Sequence, residues 1–442
     1  MQFLTFKGGI HPPHKKEATE HKPVEAAQQP KTVFIPLSQH IGAPSTAIVK
    51  KGDMVKKGQK IGEAAGFVSA PVHSSVSGEV KAIAPRLVPG GQKVLCVEIE
   101  NDMTEELYED LPKYPGLDHM SKEELLDMIK EAGIVGMGGA TFPTSVKLSP
   151  PPEKKIDAVI LNGAECEPYL TADHRLMLEN PEDIVLGLQI LIKVLGVSKA
   201  YIGIENNKMD CVETLTNTAK SDSRIEVIAF ETKYPQGAEK QLISACTGRE
   251  VPSGGLPADI GVVVTNVATA AQMAKTLKTG MPLIERICTI TGSAVKEPKN
   301  LLIKTGTLYS EIVEQCGGFI EPAVKIISGG PMMGIAQSTL DVSATKGSSG
   351  ILCLTKKDVP SNEVSNCIRC GKCITICPAK IQPMYISAFS LKMEFDKADE
   401  FNALDCIECG SCSFICPANR PLLPSIRVAK KEVMANRRKA SK

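Results

Sequence analysis

Two stretches toward the C-terminal end of this chain carry the same cysteine pattern. Cys367, Cys370, Cys373 and Cys377, followed by Pro378, spell C-x-x-C-x-x-C-x-x-x-C-P, and Cys406, Cys409, Cys412 and Cys416, followed by Pro417, repeat it. Two-residue gaps let three successive thiolates curl around three corners of one iron–sulfur cubane, while the fourth, displaced by a short helical turn, reaches the neighbouring cubane. The spacing predicts two [4Fe–4S] clusters with interlocked ligation, Cys367, Cys370, Cys373 and Cys416 on one and Cys406, Cys409, Cys412 and Cys377 on the other. Zinc is the competing reading, but structural zinc sites use two separated ligand pairs, not triplets with a crossed fourth. Gly371 and Gly410 keep backbone close to sulfur. Crossed ligation confines both clusters to one small module, which reads as an electron wire.

Eight of the fifteen cysteines fall in these runs, a clustering that points to metal and not to disulfides. The chain has 442 residues, enough for two to four domains. A formal net charge of +1 gives no global field, so nucleic acid is not an expected partner. The longest apolar run, residues 184–197, is broken by Gln189 and Lys193 and falls short of the roughly 20 residues that cross a bilayer. No transmembrane segment or secretion signal is expected, and a reducing, cytoplasmic setting follows.

Residues 1–30 are polar and rich in His, Pro and Lys, and read as an extended arm; His11, His14 and His21 lack the spacing of metal ligands. From 31 to 101 short β-type runs alternate with glycines, with turns at Lys50-Lys51-Gly52-Asp53 and Lys56-Lys57-Gly58-Gln59. This stretch resembles the barrel-sandwich fold of biotinyl and lipoyl carriers, but Pro71-Val72-His73-Ser74-Ser75 stands where a carrier places its lysine, so a docking or spacer domain is expected. Between 120 and 282, a helix over 122–132 with a Ser-x-x-Glu capping box precedes strands at 156–161, 200–204, 225–230 and 261–265. Helices at 181–195, 208–220, 239–246 and 269–278 alternate with them, which predicts βαβ units and a parallel sheet. Residues 285–355 return to Gly-rich β sequence. Residues 360–425 hold the cysteine runs, and 426–442 form a basic tail with Arg427, Lys430, Lys431, Arg437, Arg438 and Lys439. Arg369 in the first run stands where Glu408 stands in the second, which by charge alone would give the Cys367 cluster the higher potential.

Two segments have the character of a cofactor site. Residues 133–144 are dense in glycine, which lets backbone amides approach a phosphate or flat ring, with Lys147 nearby as a countercharge. The strand at 156–161 delivers Asn162-Gly163-Ala164-Glu165-Cys166-Glu167-Pro168 to its carboxyl end, where open parallel sheets bind ligands. These two segments, together with Tyr234-Pro235-Gln236-Gly237-Ala238-Glu239-Lys240 and Thr265-Asn266-Val267-Ala268-Thr269, resemble in order the FMN- and NADH-binding segments of the flavoprotein subunit of respiratory complex I. With Gly8-Gly9-Ile10-His11-Pro12-Pro13 at the start and the double cysteine run at the end, the whole chain resembles the RnfC family, found in Rnf ion-translocating ferredoxin:NAD⁺ oxidoreductases.

That resemblance implies a multidomain α/β chain: a barrel-sandwich β domain, a Rossmann-like FMN and NADH domain, a β-grasp (SLBB-like) domain, and an α-helical ferredoxin-type domain with two [4Fe–4S] clusters. It implies noncovalent FMN, NAD(H) as substrate, the other subunits of a membrane-bound Rnf complex as partners, ferredoxin as an indirect one, and a peripheral place on the cytoplasmic face of the membrane. Carried over by motif, the FMN candidates are Gly136, Gly138, Lys147, Asn162, Glu165, Gly237, Glu239, Asn266 and Thr269. Thr141 stands where the complex I subunit has glycine, and Ala164 where it has aspartate. Hydride transfer needs no protein acid or base, so no catalytic residue is assigned. Two other readings use the same parts, a soluble cobalamin reductase of this architecture and a non-enzymatic iron–sulfur adaptor with a decayed nucleotide domain.

Overall fold

The computed structural model describes residues 3–359 and 363–440. Met1 and Gln2 of the expected arm, residues 360–362 at the start of the expected cluster domain, and Ser441 and Lys442 of the basic tail lie outside the described residues.

Alternation of period two builds the first body. Val33 and Ile35 of strand Thr32–Pro36 sit opposite Ile99 and Val97 of strand Lys93–Asn101, and all four are fully buried. Strands Gly78–Leu87 and Met54–Val55 complete one sheet; Thr46–Ala47, Lys60–Glu63 and Val72–His73 form the facing one. Both expected turns close by backbone bonds, Asp53 N to Lys50 O at 3.1 Å and Gln59 N to Lys56 O at 3.0 Å. The tip where a carrier would hold its lysine is buried, and Ser75 donates to the Thr305 carbonyl at 2.6 Å.

The central body is a four-stranded parallel sheet in the order Ile225–Phe230, Lys199–Glu205, Ala158–Gly163, Val262–Asn266. Its strands are apolar on both faces because both are covered: Val159 and Leu161 enter one core, Ile160 the other. Helices Pro181–Leu195 and Val267–Thr279 pack together on the first face, so closely that a Cβ on Gly187 would lie 2.0 Å from the Ala270 carbonyl oxygen. Helix Glu239–Thr247 covers the second. The capping box at Ser121 and Glu124 forms, and Gly196, in left-handed conformation, ends the long helix as its position predicts. Asn180 stands at that helix's N-cap, but its side chain makes no capping bond.

A six-stranded mixed sheet follows: Val24–Ala26, Lys299–Lys304, Glu285–Thr291, Gly350–Leu354, Lys325–Ser328 and Ile335–Gln337. Its first strand comes from the arm, which pairs in parallel with Lys299–Lys304. The cysteine region is helical, and helix Leu422–Ala440 buries Leu422, Ile426, Ala429 and Val433 along one stripe. The boundary expected at 426 thus falls inside a helix whose first half belongs to the cluster-domain core.

Candidate functional site

Strand order places the site. The chain runs from Ala158–Gly163 outward through Lys199–Glu205 to Ile225–Phe230, then returns to the opposite side as Val262–Asn266. The reversal opens a crevice at the carboxyl ends of Ala158–Gly163 and Val262–Asn266. A cleft of about 540 Å³ lies there. Gly136, Gly138, Lys147, Asn162, Glu165, Gly237, Glu239, Asn266 and Thr269 all line it.

The polar groups of the cleft hold one another. Asn162 donates from Nδ2 to the Gly237 carbonyl at 2.7 Å and accepts from Ala164 N at 3.1 Å. Asn266 caps helix Val267–Thr279 by accepting from Ala268 N at 2.9 Å, and donates to Asp173 at 2.7 Å. Thr269 accepts from Met137 N at 2.9 Å, pinning the glycine loop to that helix. Lys147 and Glu239 pair across the mouth at 2.7 Å. Thr141, where the complex I subunit has glycine, adopts φ 52°, a conformation that favours glycine.

Glu165 has a different place from that of a free ligand group. Its carboxylate accepts from Asp173 N at 2.6 Å and His174 N at 3.2 Å, satisfying the orphan amides that open helix Ala172–Glu179. Burial pushes its carboxyl upward while the ammonium of Lys16 pulls it back. Glu167 accepts from Met332 N at 3.1 Å and Met333 N at 2.7 Å, joining the cleft to the six-stranded body, and burial pushes it up to about 7. Burial also raises the Cys166 thiol, which keeps it protonated.

Lys16, Asp173 and Arg286 are among the residues of this site that stand outside the nine. Lys16 reaches it from the arm, donating to Glu165 O and Glu167 O at 2.9 and 3.1 Å. Asp173 lines the cleft, as does Arg286, which donates to Met137 O at 3.2 Å and Lys346 O at 2.7 Å. For Arg286 the sequence holds a signal: a lone cation on the same face of a β-type run as Ile284, Cys288 and Ile290.

The cleft suits a flat, polar-edged cofactor. Thr144 and Thr265 line it with buried hydroxyls that lack a hydrogen-bond partner in the protein. A Cβ on Gly139 would meet nothing within 4 Å, and one on Gly136 nothing closer than 3.7 Å. Donors, unsatisfied hydroxyls and open glycine backbone are what an isoalloxazine with a phosphorylated ribityl chain requires.

The thiols gather in the two crossed sets. Cys367, Cys370, Cys373 and Cys416 line one cavity; Cys377, Cys406, Cys409 and Cys412 line another, walled by Ile376, Ile381, Ile407 and Ile426. The duplication extends to the backbone. Arg369 and Glu408 have φ 57° and 59°, Gly371 and Gly410 72° and 76°, Lys380 and Asn419 55° and 50°. The charge contrast between Arg369 and Glu408 does not survive. Glu408 pairs with Arg427 at 2.9 Å and Lys430 at 2.7 Å, so the second run carries no uncompensated negative charge. Two residues of the basic tail are thereby engaged internally, and Arg437 pairs with Asp399 at 2.8 Å.

Comparison with known proteins agrees with this layout. Residues 4–104 match the family described as the RnfC barrel sandwich hybrid domain, 129–275 the Nuo51 FMN-binding domain, 287–336 the SLBB domain and 360–417 the 4Fe-4S dicluster domain. The chain is 54% identical to the C subunit of the Na(+)-translocating ferredoxin:NAD(+) oxidoreductase complex of Acetobacterium woodii, over 99% of each chain. To the C subunit of the proton-translocating ferredoxin:NAD(+) oxidoreductase complex of Clostridium ljungdahlii it is 53% identical, over 97% of this chain and 94% of that one. To the C subunit of the ion-translocating oxidoreductase complex of Rhodobacter capsulatus it is 40% identical, over 97% and 83%. Identity of this extent, running from arm to cysteine module, means that the chain belongs to the RnfC family, the C subunits of ion-translocating ferredoxin:NAD⁺ oxidoreductase complexes.

Proposed function

We propose that this chain is the NAD(H)-facing electron-transfer subunit of a membrane-bound, ion-translocating ferredoxin:NAD⁺ oxidoreductase. Noncovalent FMN occupies the 540 Å³ cleft, and the two thiol quartets hold [4Fe–4S] clusters in the interlocked pairing. Bound FMN supplies the conversion between the hydride of NAD(H) and the single electrons that clusters carry. The residues around it position and exclude. The glycine loop, with Gly136, Gly138 and Gly139, lines the face on which the cofactor lies, Thr144 and Thr265 offer their unpaired hydroxyls, and Lys147 with Glu239 forms the polar mouth. The central body serves as the Rossmann-like domain and the six-stranded body as the β-grasp domain of the family.

One observation carries the reading. Tyr234 lines the cleft, and it shares a buried apolar cluster with Cys409, Cys166, Ile10 and Ile407. The quartet of Cys377, Cys406, Cys409 and Cys412 therefore stands on the far side of the cleft wall. Cys367 and Cys370 are exposed, which suits their quartet to exchange with a partner protein. Among the described residues no helix is long and apolar enough to cross a membrane. A peripheral position on the cytoplasmic face, where NAD(H) is found, fits that.

Anaerobic purification with iron, sulfide and flavin analysis tests the assignment, together with NADH:ferricyanide activity after reconstitution. Material that binds zinc in place of iron and gives no paramagnetic signal on reduction sinks the cluster reading; absence of flavin and of NADH oxidation sinks the cleft reading. Co-sedimentation with membranes separates a member of a membrane complex from a soluble reductase.

A further inference from the structure

The arm touches every body of the protein. Gly9 N donates to the Ile376 carbonyl at 2.7 Å, one residue before Cys377, and Ile10 exchanges two backbone bonds with Tyr234, at 2.8 and 2.9 Å. The passage is so narrow that a Cβ on Gly9 would lie 2.7 Å from Tyr234 O, and one on Gly8 3.0 Å from Ile376 O. Further along, the His14 carbonyl accepts from Tyr169 N at 2.8 Å, and Thr19 bonds with Thr171 at 2.7 Å. Val24–Ala26 then joins the six-stranded sheet, and the Pro30 carbonyl accepts from Asn101 of the first body at 2.8 Å.

Between these anchors stands Lys16, 3% exposed. An ammonium has three donors, and here all three are used on backbone carbonyls, of Glu165, Glu167 and Leu170. Those carbonyls converge from one turn whose residues Glu165 and Tyr169 adopt φ 46° and 70°, a left-handed conformation unfavourable for side-chain-bearing residues. The same turn floors the cleft with Glu165, Cys166, Glu167 and Leu170. Without a cation between them, three inward-facing carbonyl dipoles would repel one another and be left buried without donors.

We infer that the N-terminal arm is a working part of the cofactor site, with Lys16 as the positioning residue that holds the 165–170 turn, while Gly8 and Gly9 register the same segment against the Cys377 run. One strap thereby sets both the floor of the cleft and the seat of the nearer thiol quartet. The inference rests on the flavin reading above.

The test is made on the full chain, cluster-loaded and anaerobic, with Lys16→Ala and n-propylammonium, which replaces the atoms removed. FMN affinity is expected to fall at least tenfold, and NADH-driven bleaching of the clusters likewise, with iron content unchanged. n-Propylammonium restores both severalfold, and tetramethylammonium, which cannot donate, restores neither. Wild-type affinity and bleaching in Lys16→Ala, or a loss indifferent to the amine, overturns the inference. Should that variant not fold, Lys16→Met/Glu165→Gln removes the buried pair together and is compared with Glu165→Gln alone. Weaker FMN binding in the double variant supports the strap's role; equality overturns it. A wild-type chain that binds no FMN overturns the flavin reading itself, whereas normal wild-type binding with an unaffected lysine variant overturns the strap alone.

Discussion

The Tyr234 hydroxyl donates to the backbone carbonyl of Cys409 at 2.7 Å, and both residues are buried. One side chain thus belongs to the wall of the cofactor cleft and to the loop that presents a cluster thiol. A hydrogen bond between these two units fixes their separation, on which electron exchange between them depends.

Tyr234→Phe removes that bond and little else. The cost in stability is modest, on the order of 1 kcal/mol, because the freed carbonyl loses one partner while the ring stays packed. Loosened register between the units is expected to slow NADH-driven cluster reduction about three- to tenfold. NADH:ferricyanide activity, which draws electrons at the cleft, is expected to stay near wild type. Stopped-flow absorbance in the cluster region reads the first and a steady-state assay the second; equal losses in both would remove Tyr234 from the coupling.

Two glycines of the loop separate a steric need from mere glycine richness. A Cβ on Gly138 would lie 2.5 Å from Asn266 Nδ2, and Asn266 both caps a helix and holds Asp173. Gly138→Ala is therefore expected to weaken FMN binding at least tenfold and to cost roughly 1–3 kcal/mol of stability. At Gly139 the added methyl group meets nothing within 4 Å, so Gly139→Ala should lower affinity only if the cofactor itself approaches there. Flavin titration by fluorescence quenching ranks the two, and a harmless Gly138→Ala would contradict the account of the loop.

What is legible in the sequence, and what is concealed, follows from the range of the interactions. Strand Ile225–Phe230 and helix Pro181–Leu195 match their expected limits because each carries its own periodicity, and the helix its own Pro and Gly signals. Helix Ala172–Glu179 lies outside the expected elements. Thr171 provides no side-chain cap; the helix is opened by Glu165, several residues upstream, so the local N-cap signal is missing. Lys16 is illegible for the same reason, since its acceptors lie about 150 residues away. The nine cleft residues are grouped by family resemblance, not by local pattern. The charge of Glu408 misleads because its partners Arg427 and Lys430 come from a helix that reads as a tail.

The crossed thiol sets make opposite predictions for the two fourth cysteines. In interlocked ligation Cys416→Ser damages the cluster of the first run and Cys377→Ser that of the second. Each variant is expected to lose about half of its iron, and the two should retain different paramagnetic signals on reduction. Because the Cys377 quartet stands by the cleft wall, Cys377→Ser should also abolish fast bleaching of the remaining cluster by NADH, whereas Cys416→Ser should leave its remaining cluster rapidly reducible. The reverse pattern of rates would mean that the quartets are ordered the other way along the path.

The Glu167 contact gives the assembly a pH dependence of definite sign. Burial raises its carboxyl from 4.5 in the unfolded chain to about 7, against the pull of the Met332 and Met333 amides. Between those values the folded state holds a proton that the unfolded state has released, so stability is full below about 4.5 and falls as pH rises through about 7. The shift corresponds to about 3 kcal/mol at most. Glu167→Gln cannot ionise, so its thermal midpoint relative to wild type should improve steadily from about pH 5 to about pH 7.5. Glu165, pushed in the same direction, remains in both proteins and cancels in the comparison. Flavin-stripped, cluster-loaded protein is the right material, because Glu167 lines the cleft. Parallel curves for the two proteins across that range would show that the contact between the cleft turn and the 330–334 loop forms equally well with the carboxylate charged.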